Sequence, residues 1–422
     1  MQKNPFLFCL LIIVFLSFIN NTGALTLEEA LELARQNLPE YKSKLYQHES
    51  RLYEYRATLS PYFSSLDLIL TERKFYVEPE DYRLRSLELR LSYPLYDGGR
   101  RYSQRFTSKT LLRISDENLR EALLNLHYNV KLSFYNAIAM KEILAQRKEQ
   151  LKYAEKDYEV AKGRHELGVA RLSDVLQASV RLEEARHRLI EAEGELNKAL
   201  YELGSLIGIP VKEDELEGEL YEPETIPEKN LFIELAMNSP ELKRIEYQKD
   251  LSISERASVK SDFLPHLYLD ATYTKNSSSS SRLYPDEEKM IGLRLTFNIF
   301  ELGKFFRLKA TGSSINSKEE DIKEIKRSLQ LRITKSYEDM ITELRRLEVA
   351  KEQLRFSEQN YEQAFGEYKV GKADILSLIQ AESLLAQARE GLILSRLNIL
   401  SSLIALERTA GMVGRNGVNY EE

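Results

Sequence analysis

Two glycine turns, set in matching helical surroundings, fix the plan of this chain. HELGVARLSDVLQA, His165 to Ala178, interrupts a long amphipathic helical run, and YKVGKADILSLIQA, Tyr368 to Ala381, does the same in the second half. Gly168 and Gly371 lie 203 residues apart, as do the pairs Gln177-Ala178 and Gln380-Ala381. NLPE (Asn37 to Glu40) returns as NSPE (Asn238 to Glu241), LSPYFSSLDL as FLPHLYLDAT with Pro61 opposite Pro265, and YPLYDGGRR as FNIFELGKF with Gly99 opposite Gly303. From proline to glycine is 38 residues in both halves, and from that glycine to the turn glycine 69 and 68. Such intervals mark an internal duplication, residues 25–208 and 229–411, with a linker at 209–228 and a tail at 412–422.

Each half predicts a helix of about 34 residues ending before the proline, two strands, a helix of about 65 residues, and a last helix of about 36 residues capped at Gly208 or Gly411. At 1.5 Å per residue the long helix reaches roughly 100 Å and each shorter one roughly 50–55 Å, so two short helices end to end match one long one. Leu123, Val130, Ala137, Leu144, Leu151 and Tyr158 recur every seven residues, with a second row at Leu112, Leu119 and Leu126. Sevenfold spacing gives left-handed supercoiling against neighbouring helices, as in a cylinder wall of paired rods. The helices alone fit an ordinary coiled-coil rod equally well. A content of 30% charged residues with 18 Gly and 11 Pro suits ion-paired helical faces, and a net charge of −6 with both signs mixed offers nothing to nucleic acid.

Between Pro61 and Gly99 the hydrophobic period changes to two. Leu66, Leu68 and Leu70 alternate with Asp67, Ile69 and Thr71, and Leu87, Leu89, Leu91, Tyr93 and Leu95 alternate with Glu88, Arg90 and Ser92. In the second half Leu267, Leu269, Ala271 and Tyr273 oppose Tyr268, Asp270, Thr272 and Thr274. Ile291, Leu293, Leu295, Phe297 and Ile299 then oppose Gly292, Arg294, Thr296 and Asn298. Strands of about ten residues cross a membrane when tilted. The helical apolar residues already serve a seam, which leaves no core for these strands, and the connecting loops VEPEDYR and KNSSSSSRLYPDEE are polar. That combination favours membrane hairpins over soluble ones. Four strands cannot close a barrel, and open edges in lipid leave backbone groups unpaired, so the chain must oligomerise about a cyclic axis. Glu88, Arg90, Ser92, Asp270, Thr272, Arg294 and Thr296 then line the pore, and Gly99 and Gly303 mark the strand-to-helix turns.

The N-terminus reads as an export signal, residues 1–24. Lys3 is basic, Phe6 to Phe18 is apolar, and small residues in NTGA precede a cleavage expected after Ala24. Cys9, the only cysteine, lies inside that segment without the small residue before it that lipid attachment needs, so the mature chain has no thiol chemistry. The five histidines have no metal-ligand spacing, and neither a nucleophile motif nor a phosphate loop is present. No metal, cofactor or catalysis is expected, and His165, on the seam before the turn, reads as a packing residue.

The order of helix, LSP, hairpin, PLYDGGR, long helix, GVARLSDVLQA and capped helix, given twice, resembles the TolC-like outer-membrane efflux proteins over nearly the whole mature chain. The resemblance implies a mainly α protein with a membrane β-barrel, a homotrimer whose twelve strands form the outer-membrane barrel and whose helices form a periplasmic α-barrel. It implies no cofactor, and a role as the exit duct of a tripartite efflux pump or type I secretion system. The implied partners are a periplasmic adaptor, an inner-membrane transporter and outer-membrane lipid. The glycine turns become the periplasmic tips, and Gly168, Val169, Leu172, Ser173 and Asp174, with Gly371, Lys372, Asp374 and Leu376, become the adaptor-docking residues.

In the family a tyrosine before the second-half glycine, an arginine after it and a first-half aspartate hold the tip closed. Tyr368 and Asp174 match as the gate, while Ala373 stands at the arginine position, where Lys372 or Arg171 would substitute. Ser377 and Gln380 occupy places where the family often has a ring of aspartates. The rival expectation is a soluble periplasmic coiled-coil scaffold without channel activity.

Overall fold

A computed structural model describes residues 24–76, 78, 81–223, 226–278, 285–370 and 372–412. All of the expected signal but Ala24, nearly all of the expected tail, and Gly371 lie outside the described residues. In chain order the elements are α1 (Leu27–Asn37), α2 (Pro39–Ala57), β1 (Ser65–Phe75), β2 (Tyr82–Tyr96), α3 (Arg100–Glu166) and α4 (Leu172–Ile207). The second series is α5 (Lys229–Ala236), α6 (Pro240–Ser261), β3 (His266–Ser278), β4 (Glu287–Thr296), α7 (Leu302–Lys369) and α8 (Ile375–Thr409).

The long helices have 67 and 68 residues and the closing ones 36 and 35, close to expectation. Gly208 and Gly411 end the closing helices with φ of 79° and 75°, the left-handed geometry of a helix stop. The single helix expected before each hairpin is instead two. Pro39 and Pro240 each take a helix's first position, where the missing N–H is no loss, and the residues before them are extended, with ψ of 116° at Leu38 and 150° at Ser239. NLPE and NSPE are therefore breaks between helices. α1 starts in a capping box, in which the Glu29 N–H donates to Thr26 Oγ1 (3.3 Å) and the Thr26 N–H to Glu29 Oε2 (3.2 Å).

The chain divides into two compact units, and α3 and α7 each contribute to both. One unit comprises residues up to 42, 123–236 and from 331 onward. There the sevenfold row Val130, Ala137 and Leu144 is buried on α3, and its repeat Ile333, Met340 and Leu347 on α7. The α7 row packs with Ile399 and Leu406 of α8 and with Phe232 of α5. Each fully buried Leu or Ile contributes roughly 1.5–3 kcal/mol, so these rows hold the rods together. The linker binds the helices as a strap. Lys141 Nζ donates to the Leu216 carbonyl (2.7 Å), and Glu222 accepts from Lys351 Nζ (2.6 Å) and Arg396 Nε (3.1 Å).

The other unit, residues 43–122 and 237–330, carries an antiparallel sheet in the order β1-β2-β3-β4. At the turn from β2 into α3 the buried Asp97 carboxylate accepts from the Gly99 N–H (3.1 Å) and the Arg101 N–H (2.8 Å), and Gly98 and Gly99 have φ of 65° and 88°. A Cβ on Gly98 would lie 2.8 Å from the Ser261 carbonyl oxygen, whereas one on Gly99 would meet open space. Gly98→Ala should therefore destabilise the protein by about 1–3 kcal/mol and Gly99→Ala by less, since only backbone strain remains there. Thermal unfolding of the two variants checks this order. Gly303 corrects an expectation, for it lies inside α7 without left-handed backbone and does not make the second strand-to-helix turn.

Candidate functional site

The strand pairings decide which side chains lie on which face. Leu68 pairs with Leu89, Leu89 with Tyr273, and Leu269 with Leu293, so the expected apolar residues fall on one face of all four strands. Asp67 with Arg90, Arg90 with Thr272, Ser92 with Asp270, and Tyr268 with Arg294 fall on the other. Leu66, Leu70, Ile291 and Leu295 are exposed, and Leu293 is 67% exposed, so no protein core covers the apolar face of either outer strand. Toward the loop end this face turns charged, where Glu72 meets Arg85 (3.3 Å) and Arg83 (3.5 Å). An apolar band bounded by charge suits a slab of hydrocarbon with water beyond it.

The polar face is an ion-paired network. Arg294 donates to Asp270 (2.8 and 3.3 Å) and lies 4.6 Å over the Tyr268 ring, Ser92 donates to the same carboxylate (2.7 Å), and Arg90 Nε donates to Glu88 (2.9 Å). Thr296 closes β4 opposite His266. Two details depart from the sequence pattern. A bulge between Pro94 and Tyr96 puts Tyr96 opposite Leu267, so Leu95 loses its place on the apolar face. β4 stops at Thr296, and exposed Phe297, Ile299 and Phe300 lie beyond the strand.

In the other unit, the described residues of the two turns are capped differently. At the first, Gly168 has φ of 74°, its N–H donates to the His165 carbonyl (2.8 Å), and the Val169 N–H donates to the Arg164 carbonyl (2.9 Å). His165 is exposed rather than packed in the seam, and its Nδ1 meets the Ala170 carbonyl (2.9 Å), tying the turn. Asp174 reaches back to accept from the Arg171 N–H (3.2 Å) and from Ser173 Oγ (3.3 Å). At the second turn the Lys372 N–H donates to the Glu367 carbonyl (2.9 Å). Asp374 is the N-cap of α8, and bonds from the Ser377 N–H (2.9 Å) and Oγ (2.7 Å) hold its carboxyl below the usual range.

Between the two turns the expected gate partners are apart. Tyr368 is 9% exposed, packed with Ala161, Ala178, Ile375 and Leu378, with the Arg164 guanidinium 5.0 Å over its ring. No hydrogen bond joins the Tyr368 hydroxyl to Asp174 among the described residues, because Asp174 is turned to its own helix start. Val169, Leu172 and Leu376, which the resemblance marks for docking, are exposed, and so are Leu167, at 80%, Leu176 and Val370 beside the turns. The sequence pattern did not single out these last three, although each is an apolar side chain off the sevenfold seam.

The family model for outer membrane efflux proteins matches residues 30–209 and again 232–412. Among curated proteins, the chain is 26% identical over 241 residues to the alkaline protease secretion protein AprF of Pseudomonas aeruginosa, covering 56% of this chain and 50% of AprF. It is 23% identical over 323 residues to the pyoverdine export outer membrane protein OpmQ of the same species, covering 74% of this chain and 67% of OpmQ. The chain thus spans half the length of AprF and about two thirds of OpmQ. Among solved structures, the open state of the Neisseria gonorrhoeae MtrE outer membrane channel superimposes with a TM-score of 0.79 at 17% identity, over 92% of this chain and 89% of that one.

Proposed function

The chain belongs to the outer membrane efflux protein family, and from that premise we propose that it is the outer-membrane exit duct of an efflux or type I secretion assembly, working as a homotrimer. A periplasmic adaptor and an inner-membrane transporter deliver its cargo. One observation carries this reading: a four-stranded sheet whose apolar face and two edge strands, β1 and β4, have no cover or partner among the described residues. Each unpaired backbone group in hydrocarbon costs several kcal/mol, so the edges must meet other copies. Two copies would give eight strands, whose interior side chains just fill; three give twelve and leave a lumen. AprF is a protease secretion protein and OpmQ a pyoverdine export protein, so the kind of cargo stays open between polypeptide and small molecule. Tyr368 and Asp174 stay the proposed gate pair between the two halves of the chain, and closing it requires Asp174 to leave its bonds to Arg171 and Ser173.

The internal duplication supports one seam between copies. In the helical unit α3 packs on α4 through Ala154, Leu182 and Ala185, and pairs with α8 through Glu149 and Arg389 (3.7 Å). The motif KEQL at 148–151 returns at 351–354, and a 203-residue shift carries α3 onto α7 and α8 onto α4. Glu149 and Arg389 become Glu352 and Arg186, both exposed. Glu352 of one copy should therefore face Arg186 of the next, alongside the exposed Val349 and Phe356 of α7 and the exposed Ile190 of α4. With Cys9 replaced by serine, cysteines at 352 and 186 and a short bismaleimide should give a covalent trimer in outer-membrane fractions. A soluble monomer recovered with the periplasm would favour the scaffold reading.

A further inference from the structure

A charged layer lies inside the helical unit, 11 residues before the first turn glycine and 11 after the second. That is about 16 Å along the helices from the turns. α3 contributes Asp157, α4 Arg181 and α8 Glu382. The side chains of Arg181 and Glu382 are 12% and 7% exposed, and Asp157 is half-buried. On the turn side lies the apolar cluster of Ala161, Ala178, Tyr368, Ile375 and Leu378, and on the other side that of Ala154, Leu182 and Ala185. Arg181 Nε and Glu382 Oε2 stand 3.6 Å apart, and neither atom has a hydrogen-bond partner among the described residues. Arg181 also lies 3.6 Å from the exposed carboxylate of Glu184, so the buried Arg181–Glu382 pair is in poor geometry and its cation is shared.

The duplication shows that packing alone does not require this layer. Tyr158 returns as Tyr361, Ala161 as Ala364, Ala178 as Ala381 and Leu182 as Leu385. Yet the 203-residue shift puts Asn360 at the place of Asp157, Leu384 at that of Arg181 and Ser179 at that of Glu382. In sequence the same seam pattern occurs twice, once with these three charges and once with uncharged residues in their places. A buried, imperfectly paired charge destabilises unless it does something else, so one copy keeping all three is informative.

We propose that Asp157, Arg181 and Glu382 form a protonation-sensitive latch: with one carboxyl neutral α8 packs tightly on α3 and α4, and with both ionised the repulsion between the two carboxylates loosens α8 above the turn. Glu382 faces Arg181 and Arg188 of α4, Asp157, Tyr153 and Gln150 of α3, Glu358, Tyr361 and Glu362 of α7, and Arg389 of its own helix. Burial is the main force raising the carboxyl pKa of both acids; Lys156 and Arg181 oppose it at Asp157, and at Glu382 Arg181 opposes it while Asp157 adds to it. Burial likewise pushes the Tyr361 hydroxyl up to about 12, so it stays neutral. An acid whose folded pKa is raised contributes full stability below its unfolded pKa and loses it as pH rises through the raised value. The latch is therefore tight in acid and weakens toward neutral and alkaline pH. Reading the turns as duct tips gives the latch its consequence, an opening bias at the periplasmic end, but the packing change stands apart from that reading.

Hydrogen exchange of the purified full chain, corrected for intrinsic rates, tests the packing directly. Amides of α8 from Leu378 to Arg389 should lose about tenfold protection between about pH 5 and about pH 8. Glu382→Gln should keep acid-like protection throughout, and so should Asp157→Asn, which installs the side chain of the repeat. Arg181→Leu should lower protection at the alkaline end further, since it removes the one cation that acts on both carboxyls. If wild-type protection does not change with pH, or if both neutral variants retain its full pH dependence, the proposal fails, whatever the export phenotype.

Discussion

Leu293→Arg is expected to eliminate nearly all assembled channel from the outer membrane, whereas Arg294→Leu leaves the amount close to wild type. The two residues are neighbours on β4, and strand alternation sends them to opposite faces. Leu293 pairs with Leu269 on the uncovered apolar face, and Arg294 pairs with Tyr268 on the polar one. An arginine on the lipid face near the midplane costs about 2–4 kcal/mol per copy, or about 6–12 kcal/mol over three copies, comparable with the whole stability of a folded protein. Losing Arg294 removes an ion pair on the hydrated face, where such pairs contribute at most about 1 kcal/mol. Asp270 retains its bond from Ser92 (2.7 Å). Heat-modifiable migration of trimers from outer-membrane fractions measures both variants. Equal yields would mean that the faces are assigned wrongly.

The apolar and polar faces were legible because alternation in strands needs only a period of two, which puts Leu68, Leu89, Tyr273, Leu269 and Leu293 on the apolar side of their strands, while the register that pairs them came from the structure. The long helices were legible because sevenfold rows persist over many turns and the glycines at 208 and 411 stop the chain with left-handed backbone. What was missed depends on local geometry that no period encodes. Pro39 and Pro240 suit a helix start as well as a helix end, so the sequence alone did not split the first helix. One extra residue at the bulge near Leu95 leaves the hydrophobic pattern intact while changing the face.

The turns were legible in position but not in their bonding. Asp174 has a helix start within reach, and satisfying the free N–H of Arg171 competes with reaching Tyr368. The charged layer was hidden because Asp157, Arg181 and Glu382 come from three helices and look like surface charges in sequence. Only the packing brings an acid and a base to 3.6 Å inside the bundle.

Val169→Asp combined with Leu172→Asp is expected to abolish export while trimers still reach the outer membrane in normal amount. Both side chains are exposed, so their replacement takes nothing from the core. If the turns are docking tips, covering two such side chains contributes roughly 3–6 kcal/mol to adaptor binding, which is about two to four orders of magnitude in affinity. Charged replacements forfeit that contribution and add desolvation of two carboxylates. The glycine separates docking from turn formation. Gly168 has φ of 74°, and a Cβ there would meet nothing within 4 Å, so Gly168→Asn should be tolerated, because asparagine enters the left-handed region readily. Gly168→Val adds strain of roughly 1–2 kcal/mol and also puts a branched side chain on the docking surface. It should therefore lose export without losing trimers. Complementation of a strain lacking the gene, read beside trimer abundance, distinguishes the cases. Export that survives the double aspartate variant would make the turns mere connections between helices, and the adaptor would have to grip the helical wall instead.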